Sequence, residues 1–358
     1  MTSNTPGPTA PATPAAPVSG ATRLVDRVFR MRELTIGAVL LVMLGVTQAG
    51  NSQFLTEQGI KDLLLNATIL VLVATGQALV VITRNVDLSV GSVLGVSAFA
   101  AGTHLQGGGS PLIAVLLAVL LGVGFGLLNG LLVSFGQVPA LVVTLGTLYI
   151  IRGIDSLWVG SRQITAADLP DAFVDFGSGG LSAVPYLGLI ALVVLAATAY
   201  YLKHFAGGRE LYALGSDPQA ARLAGIPVRR RILIAYTFCG ALAGLAGALY
   251  LARFGNVDSG TGNGYELTVV SAVVVGGVVF TGGSGSVYGA ALGALLLTSV
   301  NSVLPALGVS SVWVLAINGA LLVLAIAADR IVALRVAEAL RKKSAPQTVP
   351  QKGDPLHA

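Results

Sequence analysis

The chain has 358 residues, of which only 10% are charged and 54% hydrophobic, with a mean hydropathy of +0.82. Soluble domains carry roughly 25% charged residues, so this composition excludes a soluble globular enzyme, a nucleic-acid-binding module and a disordered chain. Long unbroken apolar runs also argue against an outer-membrane barrel, whose strands alternate, and the net charge of +5 informs only through its placement.

Residues 1–32 read as a disordered basic tail. The first twenty contain five prolines and no apolar stretch of signal-peptide length, so no cleaved secretory signal is expected. Arg23, Arg27, Arg30 and Arg32 follow. Ten apolar segments come next, at about 33–52, 60–82, 88–106, 111–135, 139–158, 186–203, 232–252, 265–281, 287–304 and 310–328. Together they predict an all-α polytopic membrane protein of about ten transmembrane helices, spanning 33–330. Residues 331–358 form a second polar tail. With both termini inside, 17 of the 21 Lys and Arg residues fall on the cytoplasmic side, as the positive-inside rule requires. Lys61, Arg152, Arg162 and Arg253 are the exceptions. Glycines at three- and four-residue spacing, such as Gly122, Gly126, Gly240 and Gly244, suit close helix packing in lipid.

Several polar positions interrupt this pattern. Gln77, Asn66, Asn129, Asn301 and Asn318 are uncharged amides inside spans; they suit interhelical hydrogen bonds, or weak binding of a hydroxyl-rich solute along a substrate path. Arg84, Asp87 and Ser89 lie at the cytoplasmic mouth between the second and third spans, where Asp87 suits capping of the third span or a gate. Arg152 and Asp155, three residues apart near the outer end of the fifth span, suit an ion pair or the substrate path. The outer loop from Gly160 to Pro185 carries Arg162, Asp168, Asp171 and Asp175, a solvated loop or a docking patch. Glu266 suits the N-terminus of the eighth span. Thr281–Ser286 is a Gly-rich turn, but no Gly-Lys dipeptide exists in the chain, so no nucleotide loop is present. Cys239 is the single cysteine, and the histidines show no metal-ligand spacing; no metal or catalytic group is expected.

The cytoplasmic connection 204–231 is the most informative stretch. Asp217 can cap a helix and Pro218 suits its first position. Gly225 and Pro227 stop it two turns later, and Arg229, Arg230 and Arg231 then meet the headgroups. Ser216 is a rival cap. So short a helix, delimited at both ends between two spans, suits either a lever for a partner protein or a surface element that stabilises the loop.

Residues Gln219-Ala220-Ala221-Arg222-Leu223-Ala224-Gly225 resemble the E-A-A-x-x-x-G loop of ABC-importer permeases, with Gln219 in place of the acidic residue. Ile82–Val96, Asn129–Gly153 and Gly276–Ala294 are similar to the ribose/rhamnose/autoinducer-sugar branch of that family. The resemblance covers about residues 60–328. It implies a type II ABC-importer-like bundle in the bacterial inner membrane. It further implies a second permease copy or paralogue, an extracytoplasmic sugar-binding protein, and an ATPase subunit that holds ATP and Mg and is contacted through Asp217, Pro218, Gln219, Ala220, Ala221 and Gly225. Among the sugars, rhamnose is placed slightly first. The competing functions are an ion-coupled secondary transporter, which usually needs acidic residues deep in its spans, and a membrane enzyme, for which no acid–base pair or nucleophile can be assembled.

Overall fold

The computed structural model describes residues 20–310 and, beyond them, 313, 316–321, 323, 324, 327 and 331; for 20–32 it describes the backbone alone. The helices, in chain order, are α1 (Gly20–Gly50), α2 (Glu57–Ile82), α3 (Val90–Gln106), α4 (Pro111–Ser134), α5 (Ala140–Val159), α6 (Asp171–Ser178), α7 (Tyr186–His204), α8 (Ala206–Ser216), α9 (Pro218–Leu223), α10 (Val228–Phe254), α11 (Tyr265–Val275) and α12 (Val287–Ala306). A two-residue antiparallel pairing, Gly180–Leu181 with Val184–Pro185, and a single bridge between Ile164 and Val257 are the extended pairings among the described residues. Seven of these helices are long and apolar enough to cross a membrane. The chain is therefore a multi-pass, all-α membrane protein in its architecture.

Two expectations are adjusted. Helix α1 starts at Gly20, inside the stretch expected to be a tail, because no proline or glycine interrupts residues 21–36. The eighth segment, expected as a continuous span over 265–281, stops at Val275, where Gly276 and Gly277 follow and Gly277 takes φ 93°. At 1.5 Å per residue an 11-residue helix covers about 17 Å, roughly half of a hydrocarbon core of about 30 Å. Gly276, Gly277 and Val278 are buried in protein, the condition under which irregular backbone is tolerated at membrane depth. The tenth segment, 310–328, is described only in part, at 310, 313, 316–321, 323, 324 and 327, and residues 1–19 and the tail 331–358, apart from residue 331, lie outside the described residues.

Helix α10 forms the spine of the bundle and packs against α4, α3 and α2; α12 packs against α2, α11 and α1. Within α2 a run from Ala67 to Ile82 is wholly buried, so this helix is apolar all round because protein surrounds it. The α4–α10 seam is built on glycine. A methyl group at Gly122 would strike the Gly240 carbonyl, and one at Gly126 that of Tyr236. Helices α4 and α5 turn large apolar side chains outward, among them Leu120, Leu141, Tyr149, Ile150 and Leu157, as a lipid-facing or subunit-facing surface requires.

The two ends of the bundle are distinct. At one end lie α8 and α9, the turn after α2 and the Gly-rich turn before α12. At the other, α6 rests on α10, Ile164 bridges to Val257, and Arg253 pairs with Asp62 at 2.9 Å.

Candidate functional site: a short surface helix joined to a buried polar cluster

Helix α9 forms as its sequence dictates. The Asp217 carboxylate accepts the backbone N–H groups of Gln219 (2.8 Å) and Ala220 (3.0 Å), with Pro218 in the first turn. These bonds, with Ala220 contributing most, hold the Asp217 carboxyl below the ordinary carboxylate range, and the nearby Arg84 acts in the same direction. Asp217, not Ser216, is thus the cap. At the other end Gly225 adopts φ 77° and closes the helix. Ala221 is buried against Leu214, Val228, Ile226 and Ile232, while Gln219, Ala220, Arg222 and Leu223 face outward. Leu223 is 92% exposed. A two-turn helix is thereby fastened along one edge and turns an apolar side chain outward.

The preceding helix α8 was not foreseen. Gly207 and Gly208 read as loop, yet both are buried where α8 turns against the end of α7. Leu211 and Leu214, three apart, are its inward face. A link to the rest of the bundle runs from its last turn. Arg84 donates from Nε to the Gly215 carbonyl (2.5 Å) and from Nη2 to the Ser216 carbonyl (2.5 Å). In addition, Gly283 N–H donates to the Ile82 carbonyl (2.9 Å), and Tyr212 OH donates to the Gly285 carbonyl (3.1 Å).

Beside that link lies a buried polar cluster. Asp87 Oδ1 accepts from Ser89 N (2.9 Å), Ser89 Oγ (2.7 Å) and Asn129 Nδ2 (3.4 Å). Asn129 Nδ2 also donates to Ser89 Oγ at 2.8 Å. With its amide oriented to satisfy both groups, Gln77 donates to the Asp87 carbonyl and accepts from the Asp87 N–H, each at 3.2 Å. Tyr236 OH donates to the Val86 carbonyl at 3.1 Å. Gln77, Asp87, Ser89 and Asn129 are all buried, so two amides expected on a substrate path and two residues expected at a gate form one constellation. Asp87 does not cap α3 as expected; Ser89 holds the N-cap position, and its hydroxyl turns back to Asp87.

Arg152 and Asp155 sit at the opposite end. Arg152 Nη1 donates to the Thr261 carbonyl at 2.7 Å and makes no ion pair with Asp155 among the described residues. Both Asp155 carboxylate oxygens are buried without a hydrogen-bond partner. The expected Arg152–Asp155 pair is thus replaced by a brace from α5 to the loop before α11, because that loop brings a free carbonyl closer to the guanidinium. Asp168 closes a capping box with Thr165 and accepts Gln106 Nε2 at 3.1 Å, so the outer loop is structured; Asp171 and Asp175 remain exposed on α6. Thr165 supplies the principal bonds that keep the Asp168 carboxyl below its usual range. Asn318 Nδ2 donates to Asn301 Oδ1 at 3.2 Å, joining the last described segment to α12.

These features define a polytopic helical membrane protein in which a short surface helix is tied to the transmembrane bundle. A family profile described as "Branched-chain amino acid transport system / permease component" matches residues 59–326. The chain is also 37% identical to the autoinducer 2 import system permease protein LsrC of Enterobacter sp. (strain 638), over 79% of this chain and 82% of that one. It is 36% identical to the LsrC protein of Escherichia coli O157:H7 over the same shares, and 36% identical to that of Salmonella paratyphi B over 79% and 81%. The chain belongs to this permease family: it is the membrane-spanning permease component of an ABC importer.

Proposed function

We propose that the chain forms the passage for a small, hydroxyl-rich sugar-like molecule of the autoinducer-2 kind. A second permease copy or paralogue completes the passage, a separate ATPase drives it, and an extracytoplasmic binding protein delivers the cargo. The relatives' name favours autoinducer 2 over rhamnose and ribose, which corrects the order drawn from resemblance. The observation that supports the drive is α9, capped by Asp217, pinned through Ala221 and offering Leu223 at 92% exposure. In this reading ATP and Mg stay on the partner. The α9 end then faces the cytoplasm with both termini, in the bacterial inner membrane. Helices α3 and α11 and the segment 310–328 bring the seven long spans to ten. The Asp87–Asn129 cluster acts as the inner gate of a type II bundle, and Arg152, Asn301 and Asn318 lie toward the path. The comparisons lend no support to an ion-coupled secondary transporter.

The test is uptake into proteoliposomes holding the permease, its ATPase and the binding protein. Labelled autoinducer 2 should enter only with ATP at the ATPase face, and an ionophore should not change the rate. Uptake without ATP that collapses with an ionophore would reverse the reading, and faster entry of rhamnose or ribose would reassign the cargo.

A further inference from the structure

The geometry points to Arg84 as the positioning residue that carries displacement of α9 into the Asp87 cluster, an inference that rests on α9 being the ATPase-docking element. Three observations converge on it.

First, Arg84 holds φ 66°, a left-handed backbone that a residue with a Cβ adopts rarely. It is the position that closes α2: Arg84 N–H donates to the Val81 carbonyl (2.9 Å) and Asn85 N–H to the Val80 carbonyl (3.2 Å), so the side chain leaves the helix end on a fixed backbone. The guanidinium spans two successive carbonyls, those of Gly215 and Ser216, at 2.5 Å each. These are among the last carbonyls of α8, which lack partners in their own helix and carry the negative end of its dipole. The very next residue, Asp217, caps α9. Arg84 therefore grips the joint between α8 and α9.

Second, that joint cannot slip past the end of α2. No side chain fits at Gly215, because its Cα faces the Ile82 carbonyl and the Gly283 backbone directly. The Ile82 carbonyl is itself held by Gly283 N–H at 2.9 Å. Third, the chain from Arg84 to Asp87 has no slack. Asn85 Nδ2 donates to the Thr83 carbonyl (2.9 Å) and hydroxyl (3.0 Å), and Asn85 N–H donates to the Val80 carbonyl (3.2 Å). The Val86 carbonyl is held by Tyr236 OH (3.1 Å) and Thr144 Oγ1 (3.3 Å). Asp87 comes next, with its backbone clasped by Gln77. A displacement of α9 taken up by Arg84 thus arrives at Asp87 and Ser89 within three residues.

The experiment uses the complete transporter in proteoliposomes and reads cargo moved per ATP hydrolysed. Arg84→Gly tolerates the left-handed backbone and removes the guanidinium; Arg84→Lys keeps the charge with a single-point donor in place of the fork. In Arg84→Gly, ATP hydrolysis should continue while cargo per ATP falls at least tenfold, with Arg84→Lys intermediate. An unchanged ratio in an assembled Arg84→Gly transporter overturns the proposal. So does failure of both variants to assemble, which would make Arg84 a static brace. If only Arg84→Gly fails to assemble, Arg84→Lys decides, and a wild-type ratio there overturns it. Leu223→Asp separates the two levels: if it leaves ATPase assembly intact, α9 is not the docking element and the underlying reading fails, whatever Arg84 does.

Discussion

Asn129 Nδ2 lies 2.8 Å from Ser89 Oγ, so α4 is fastened to the turn that launches α3 by a side chain 40 positions away in sequence. Asn129→Ala should strip a donor from both Ser89 and Asp87, at a cost of about 1–3 kcal/mol for a buried group left short of partners. Asn129→Asp should cost more, because it sets a second carboxylate against Asp87. Thermal unfolding of the purified permease in lipid nanodiscs, with Asn129→Ala more stable than Asn129→Asp, is the check.

Ala221 and Leu223 sit on the same short helix but should fail differently. Ala221 is buried against Leu214 and Val228, so Ala221→Arg should dislodge α9 itself and abolish uptake while leaving the chain in the membrane. Leu223 is 92% exposed, so Leu223→Asp should leave the melting temperature within error and weaken ATPase association at least tenfold. Co-purification with the ATPase, alongside melting curves, distinguishes them.

The Arg152 brace invites a double-mutant cycle. Arg152→Ala should remove the 2.7 Å bond to Thr261 and leave Asp155 buried without a nearby cation. The expected loss is about 1.5–3 kcal/mol, the range for a charged hydrogen bond. Arg152→Met combined with Asp155→Leu should recover part of it, since replacing both polar groups removes the desolvation cost that a lone carboxylate leaves. No recovery in chemical-denaturation midpoints would show that Asp155 is paid no penalty by its burial.

Asp217 gives a pH prediction with a defined sign. Its carboxyl is held below the ordinary range by the Ala220 and Gln219 N–H groups. The cap's contribution is therefore fully present above the unfolded value of about 3.9 and is lost as pH falls through the lower folded value. A spin label at Leu223→Cys should show the ordered motion of an exposed helical site at neutral pH and loosen only in acid below that range. Asp217→Asn should keep that ordered motion throughout, and Asp217→Ala should be looser at every pH. Cys239 is buried and will not compete for the label.

What could be read in advance follows from range. The cap at Asp217, the stop at Gly225 and the length of α9 depend on neighbours within a few positions, so all three are legible in the sequence, with Ser216 left as the rival for the cap. Helix α8 was hidden because Gly207 and Gly208 look like loop until α7 is there to press against them. The break at Gly276 was masked by the valines on both sides, which keep hydropathy high whether or not the helix continues. Asp87 and Ser89 could be grouped from their shared stretch of chain, but the arrival of Gln77 and Asn129 beside them could not be read: only the packing of α2, α4 and α10 brings the two amides there. Arg152 showed the same limit, since its true acceptor is a backbone carbonyl, a group every residue carries.

The glycine seam between α4 and α10 has a kinematic meaning. With Gly122 and Gly126 laid directly on the main chain of Gly240 and Tyr236, neither helix can roll about its own axis without driving carbonyl into carbonyl. The two are welded into one girder, so any rearrangement of the bundle has to carry α4 and α10 together.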